Sequence, residues 1–141
     1  DTPYFSLQLL LEHDGHRTIA LAKKLEHFNK QRQQITQTAL QQSMHLLQPQ
    51  AQHALLVVAA REWPVGIIGI IAGKIADQHG KPAIVMAEMD GSYTGSARSI
   101  EGFNVTDAIG SQKKYLTHFG GHAQAAGFSL PKEKKGKTTL E

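Results

Sequence analysis

Two short apolar runs, ALLVVAA at 54–60 and PAIVMAE at 82–88, enclose the longer stretch VGIIGIIAGKIADQHG at 65–80, and that order limits the fold more than any other feature of the chain. The outer runs have the length and composition of buried strands. The middle stretch is too long for a strand and ends at Gly80, so it reads as a helix. Strand, helix and strand on short connections make a parallel pair with a right-handed crossover, which places the chain in the α/β class. Gly66, Gly69 and Gly73 lie three and four residues apart, share one helix face and let it approach the sheet closely.

DG at 90–91 signals a hairpin turn into a further strand, SYTGSARS at 92–99, so the sheet is expected to be mixed. Asn104 caps a helix that begins near Val105, with Asp107 in its first turn. AAGFSL at 125–130 supplies the last strand, and PKEKKGKTTLE reads as a solvated tail whose Leu140 and Glu141 suggest a cloning remnant.

Upstream, residues 3–13 form a short helix with Pro3 in its first turn, broken by DGH at 14–16. No Pro or Gly interrupts the chain from Arg17 to about Gln48, where Leu21, Leu25, Phe28, Arg32, Ile35, Ala39, Gln42 and Leu46 step by fours and threes. Arg32 and Gln42 interrupt that seam, which favours a strut or connector packed against domains over an isolated coiled coil. Pro49 ends the helix. The expected organisation is a helical segment and connector helix at 1–49, a domain with a mixed central sheet flanked by helices at 50–131, and a flexible tail at 132–141.

Fifteen Lys and Arg against 12 Asp and Glu give a net charge of +3, which permits a phosphate-bearing partner without demanding one. Cysteine is absent, which removes disulfides, thiolate metal sites and a cysteine nucleophile, and suits a reducing interior. Lys74 breaks the longest apolar run well short of the ~20 residues that span a bilayer. The start carries no signal-peptide pattern, so a cytoplasmic location without membrane contact is expected. There is no P-loop and no G-x-G-x-x-G fingerprint, and GIIG at 66–69 lacks the basic residues of a KH-type loop. EHDGH at 12–16 holds ligand-type side chains, but a solvated turn accounts for it better than a metal site.

Two stretches join small residues to one long polar group. In GSARSIEGFN (95–104), Arg98 supplies a guanidinium fork suited to phosphate, and the hydroxyls of Ser96 and Ser99 add donors. Ser96 and Arg98 are two apart on a strand and point the same way. Pairing of Arg98 with Glu101 accounts for the same residue types equally well. In HFGGHAQAAG (118–127), Gly120 and Gly121 are free to adopt backbone angles closed to other residues and to present N–H groups to an anion, while His122 hydrogen-bonds an oxygen or moves a proton. A tight turn with a structural histidine is the simpler account of GGH taken alone.

Following a long helix in this order, WPVGIIGIIAGKIAD, GSARSIEGFNVTDAI and FGGHAQAAGFSL resemble the DHHA1 domain of the DHH phosphoesterase superfamily, and within it the RecJ family of single-strand-specific exonucleases. The resemblance covers about residues 4–130, and the last two motifs are its most specific part. It implies a fragment, in which the long helix connects a missing DHH domain to a DHHA1 domain facing it across a cleft. The chain has no DHH triplet and none of the aspartate motifs that hold Mn²⁺ or Mg²⁺ in the family, so the resemblance puts no metal here and leaves the fragment inactive alone.

The resemblance further implies single-stranded DNA and the absent DHH domain as partners, with a role in DNA repair and recombination. The family reaction is hydrolysis from the 5′ end by a metal-activated water. Ser96 and Arg98, with Ser99 beside them, then fall where the family grips nucleic-acid phosphate. Gly120, Gly121 and the catalytic candidate His122 fall beside the scissile phosphate, where bare backbone lets the phosphate chain come close. RecJ sequences commonly carry a histidine after the tryptophan, whereas Pro64 follows Trp63 here, so any role of that histidine is lost. A short-oligonucleotide or cyclic-dinucleotide phosphodiesterase of the same superfamily also uses GGH, but the connector helix and GSARSIEGF favour the RecJ family. A non-catalytic nucleic-acid-binding or scaffold module with this fold is the third reading, and no residue in the chain separates it from an exonuclease half.

Overall fold

A computed structural model describes residues 2–132. The chain divides into two compact units, Asp1–Thr38 and Ala39–Glu141. The first holds helix α1 (Thr2–Leu11) and the opening part of helix α2 (Gly15–Leu47). The break between them is as long as DGH but falls two residues earlier, at 12–14. Glu12 Oε1 accepts the N–H groups of His13 and Asp14, both at 3.0 Å, and Asp14 Oδ1 accepts Arg17 N–H at 2.9 Å. Asp14 therefore caps α2 with Gly15 and His16 already helical. Within this unit Phe5 stacks on Phe28 at 5.9 Å, and the Lys24 ammonium sits 3.6 Å over the Phe5 ring.

The seam along α2 differs from the expected one in its second half. Leu21, Leu25 and Phe28 are half-buried as the spacing predicts, but Ile35 and Leu46 stand 46% and 47% exposed. The buried positions are Thr36, Ala39, Ser43 and Leu47, displaced around the helix because its 3.6-residue turn drifts off a strict heptad. Thr36 and Ser43 are hidden by returning their hydroxyls to the carbonyls of Arg32 and Leu40, each at 2.7 Å. Gln42, an interruption of the seam on paper, accepts the buried Trp63 indole N–H at 2.8 Å.

After a single 3₁₀ turn at Gln48–Gln50 the second unit runs through β1 (Leu56–Ala60), α3 (Val65–His79), β2 (Ala83–Met89), β3 (Ser92–Arg98), α4 (Val105–Gly110), β4 (His118–His122) and β5 (Ala125–Pro131). The sheet order is β1-β2-β3-β5-β4, with β1 and β2 parallel and the other pairs antiparallel. The strand-helix-strand unit and the mixed sheet thus form as the apolar runs require. Asp90 and Gly91 both take positive φ, 48° and 75°, the geometry of a two-residue hairpin turn, and glycine carries the second position without strain. The outer edge of β1 is closed by a side chain: the Gln50 carboxamide donates to Val57 O at 2.7 Å and accepts Val57 N–H at 2.9 Å.

The two sheet faces carry different loads. Leu56, Val58, Ala83, Val85 and Ala87 face α3, whose Ile67, Ile68, Ile71 and Ile75 are buried, and Ala39 and Leu47 of α2 join this core with Trp63. The opposite face packs Ala97, Ala126 and Phe128 on Val105 and Ile109 of α4. No described helix is long and apolar enough to cross a membrane.

The expected tail starts one residue too early. Lys132 N–H donates to Gly91 O at 2.9 Å and its ammonium pairs with Glu88, while residues 133–141, including Leu140 and Glu141, lie outside the described residues. Glu88 also accepts the Tyr93 hydroxyl at 3.0 Å and lies 3.3 Å from Arg61. The Lys132 hydrogen bond, with help from Tyr93 and Arg61 and against the opposing effect of burial, lowers the Glu88 carboxyl from 4.5 to about 2. A carboxyl depressed by folding stabilises the fold above its unfolded pKa and loses that effect as pH falls toward the folded one. Thermal melts from about pH 5 down to about pH 2 should therefore show a flatter decline in Tm for Glu88→Gln than for the parent, from a lower value at neutral pH.

Candidate nucleic-acid interface

Side chains directly opposite one another on paired strands share a face, so the register lines up the expected residues in rows. Arg98 pairs with Ala125, which pairs with His122; Ser96 pairs with Gly127, which pairs with Gly120. Arg98 and His122 thus stand in one row, two strands and about 10 Å apart across the sheet. The Ser96 row beside it consists of one hydroxyl and two glycines. Both rows lie on the face that α3 covers further along, because Ser96 and Arg98 also oppose the buried Val85 and Ala83 of β2.

Helix α3 lies against β2 and β3, with no comparable packing on β5 or β4. Arg98 and Ser96 are half-buried at that boundary, while His118, Gly120, His122 and Gly127 are exposed beyond it. Gly69 makes the boundary tight, since a Cβ there would stand 3.1 Å from Arg98 Nη2 and 3.1 Å from Ser96 Oγ. The helical glycines thus admit the Arg98 side chain as well as the sheet. Pro64 occupies the N-terminal cap position of α3, with φ −60°.

Arg98 Nη1 donates to Ser96 Oγ at 3.2 Å and to Ala97 O at 2.9 Å. Among the described residues no carboxylate pairs with it, so the pairing with Glu101 does not form. The guanidinium is held in place by neutral partners and keeps donors for an anion. Ser99 is placed differently: its N–H donates to Gln124 O at 2.9 Å and its hydroxyl bonds the carbonyls of Ile100 and Phe103. It braces the 99–103 loop instead of adding a donor to the Ser96 and Arg98 rows.

GGH is strand, neither tight turn nor anion-binding loop. Gly121 has φ 156°, and a Cβ on it would lie 2.3 Å from Ala125 O and 2.6 Å from Ala126 Cα, so β4 can pair with β5 only if that residue is glycine. A Cβ on Gly120 would meet no atom within 4 Å, and its bareness leaves the open face shallow. His122 ends the strand with Gln124 N–H donating to its Nδ1 at 3.3 Å and Thr106 Oγ1 donating to its carbonyl at 2.7 Å. Asn104 caps α4 as expected, accepting the N–H groups of Thr106 and Asp107 at 3.1 and 3.2 Å.

Sequence reasoning did not find β4 or Thr106. HFGGH lacks the alternation and branched residues that mark strands. Thr106 meets His122 across 16 residues, through a fold that no local pattern encodes. Among the described residues no group of three or more His, Asp or Glu side chains could hold a metal ion.

The family model for the DHHA1 domain matches residues 52–141. The single-stranded-DNA-specific exonuclease RecJ of Bacillus subtilis is 35% identical over 131 residues, covering 91% of this chain and 17% of that protein. RecJ of Escherichia coli is 32% identical over 136 residues, covering 89% of this chain and 23% of its own length. The crystal structure of RecJ from Thermus thermophilus in complex with Mn²⁺ superposes with a TM-score of 0.84 at 28% identity, over 93% of this chain and 19% of that one. The chain therefore spans about a fifth of the length of these relatives. With the family match over most of its length, and a mixed sheet carrying GSAR and GGH in facing rows, the chain belongs to the DHHA1 domain family.

Proposed function

We propose that this chain is the substrate-gripping part of a RecJ-like 5′–3′ exonuclease for single-stranded DNA. One observation carries the reading: a sheet face half covered by α3 and half open, with Arg98, which no carboxylate pairs with among the described residues, at the boundary and His122 in its row. A guanidinium without a carboxylate partner, beside a shallow lane of glycines, suits a phosphate that must approach backbone closely. In this reading Arg98 and Ser96 grip a phosphate of the strand. Gly120 and Gly121 leave room for the next part of the chain, and His122 meets the phosphate that is cut.

Among the described residues no group of His, Asp or Glu side chains fits a site for Mn²⁺ or Mg²⁺. The metals that the parent enzyme uses are assigned to a DHH domain outside this chain, which makes that domain its second partner. The chain's own residues bind and orient the strand. In this reading the parent works in DNA repair and recombination in the cytoplasm, and the single-stranded-DNA exonuclease activity named for the relatives supports a DNA-processing role.

Fluorescence anisotropy with a single-stranded oligonucleotide across a salt series tests the grip. Arg98→Ala should weaken binding and lower the salt slope by roughly 0.7, one single-strand phosphate contact, and an unchanged slope would remove Arg98 from the interface. The purified chain, incubated with Mn²⁺ and labelled DNA, should release no nucleotides; robust degradation would overturn the division of labour between the two domains. In the full-length parent, His122→Ala should reduce kcat more than it raises KM, because a contact made at the reacting phosphate strengthens in the transition state.

A further inference from the structure

Sheet register fixes the face of His122 but leaves its ring free to rotate, and rotation decides which nitrogen meets a ligand. His122 is the last residue of an edge strand and is exposed, so nothing in the sheet itself would hold the imidazole. Three hydrogen bonds supply what the sheet does not. Thr106 Oγ1 donates to His122 O at 2.7 Å, and Val105 N–H donates to Ala123 O at 3.0 Å, which ties the turn at 122–124 to the start of α4. Gln124 N–H then points at His122 Nδ1 from 3.3 Å. The start of α4 is itself rigid, because Asn104 accepts two of its N–H groups and donates to Asp107 Oδ2 at 2.7 Å.

A neutral imidazole carries one proton on one of two nitrogens. An amide N–H directed at Nδ1 needs a lone pair there, since a proton on that nitrogen would oppose the amide proton. The ring proton therefore belongs on Nε2, at the other edge of the ring, for which no partner occurs among the described residues.

We infer that Thr106 is a positioning residue for His122, and that with the Gln124 amide it holds the imidazole as the Nε2–H tautomer. This deepens the phosphate reading and rests on it for the ligand. As Nε2–H, His122 gives a hydrogen bond to a non-bridging phosphate oxygen and cannot take up a proton at that nitrogen. Its part is to hold and polarise the phosphate, and general-base work at Nε2 is excluded. The hydroxyl of Thr106 is the feature that matters, because the methyl group makes no bond to the 122–124 turn.

Long-range ¹H–¹⁵N correlation spectra of the labelled chain at about pH 8, above the ordinary histidine titration near 6.5, read the tautomer directly. His122 should show unprotonated Nδ1 and protonated Nε2 throughout, whereas the exposed His13 and His53 show the mixture of a freely rotating ring. Thr106→Val should move His122 to that mixture, and Thr106→Ser, which keeps the hydroxyl, should restore the single form. A parent His122 that is mixed or Nδ1-protonated overturns the inference, whether or not the valine variant folds. So does a folded Thr106→Val whose His122 is unchanged. DNA plays no part in these spectra, so a single Nε2–H form in a chain that binds no single-stranded DNA overturns the phosphate reading and leaves the positioning of His122 standing.

Discussion

Helix α3 lies along β2 and β3 and leaves β5 and β4 bare, and the use of the sheet follows from where that cover ends. Under the helix the residues are Ala83, Val85 and Ala87, buried completely and closed to solvent. Three strands further on, the same face presents His118, Gly120 and His122, all exposed. Burying Ile71 and Ile75 on one half provides the hydrophobic stabilisation that lets the other half remain polar and uncovered. Arg98 stands at the border, its side chain against the bare backbone of α3 and its donors turned to neutral oxygens.

Much of this architecture was legible in the sequence because it depends on local pattern. The strand-helix-strand unit announces itself as apolar runs of two lengths, the hairpin as Asp90 and Gly91, and the helix start as Asn104. The α2 seam was only half legible. A heptad drawn on paper puts Ile35 and Leu46 inside, whereas the helix turns on and buries Thr36 and Ser43, which look polar in sequence but satisfy themselves within the helix. Strand β4 was illegible for a stronger reason. Its glycines contradict strand propensity, and it exists because β5 offers a partner against which only a residue without Cβ fits at 121.

The site divides in the same way. Ser96 and Arg98 fall on one side of a strand by simple alternation, and that part needed no structure. Their alignment with His122 runs through Ala125 and Gly127, two residues with no chemistry of their own, and depends on a long-range register. Ser99 shows the converse: a hydroxyl beside the motif, of the right type, that the fold uses to hold the loop through Phe103. Residue type nominated the candidates, and backbone geometry decided which of them share the open face.

The two margins of the sheet are finished in opposite ways. Gln50 closes the outer side of β1 with its carboxamide, but β4 has no such cover among the described residues, so its backbone is open to a strand from another molecule. Open margins of this kind seed aggregation when they are long, flat and branched. This one is only five residues long and has two adjacent glycines in place of branched side chains. A short margin with two adjacent glycines is thus a poor template for self-association.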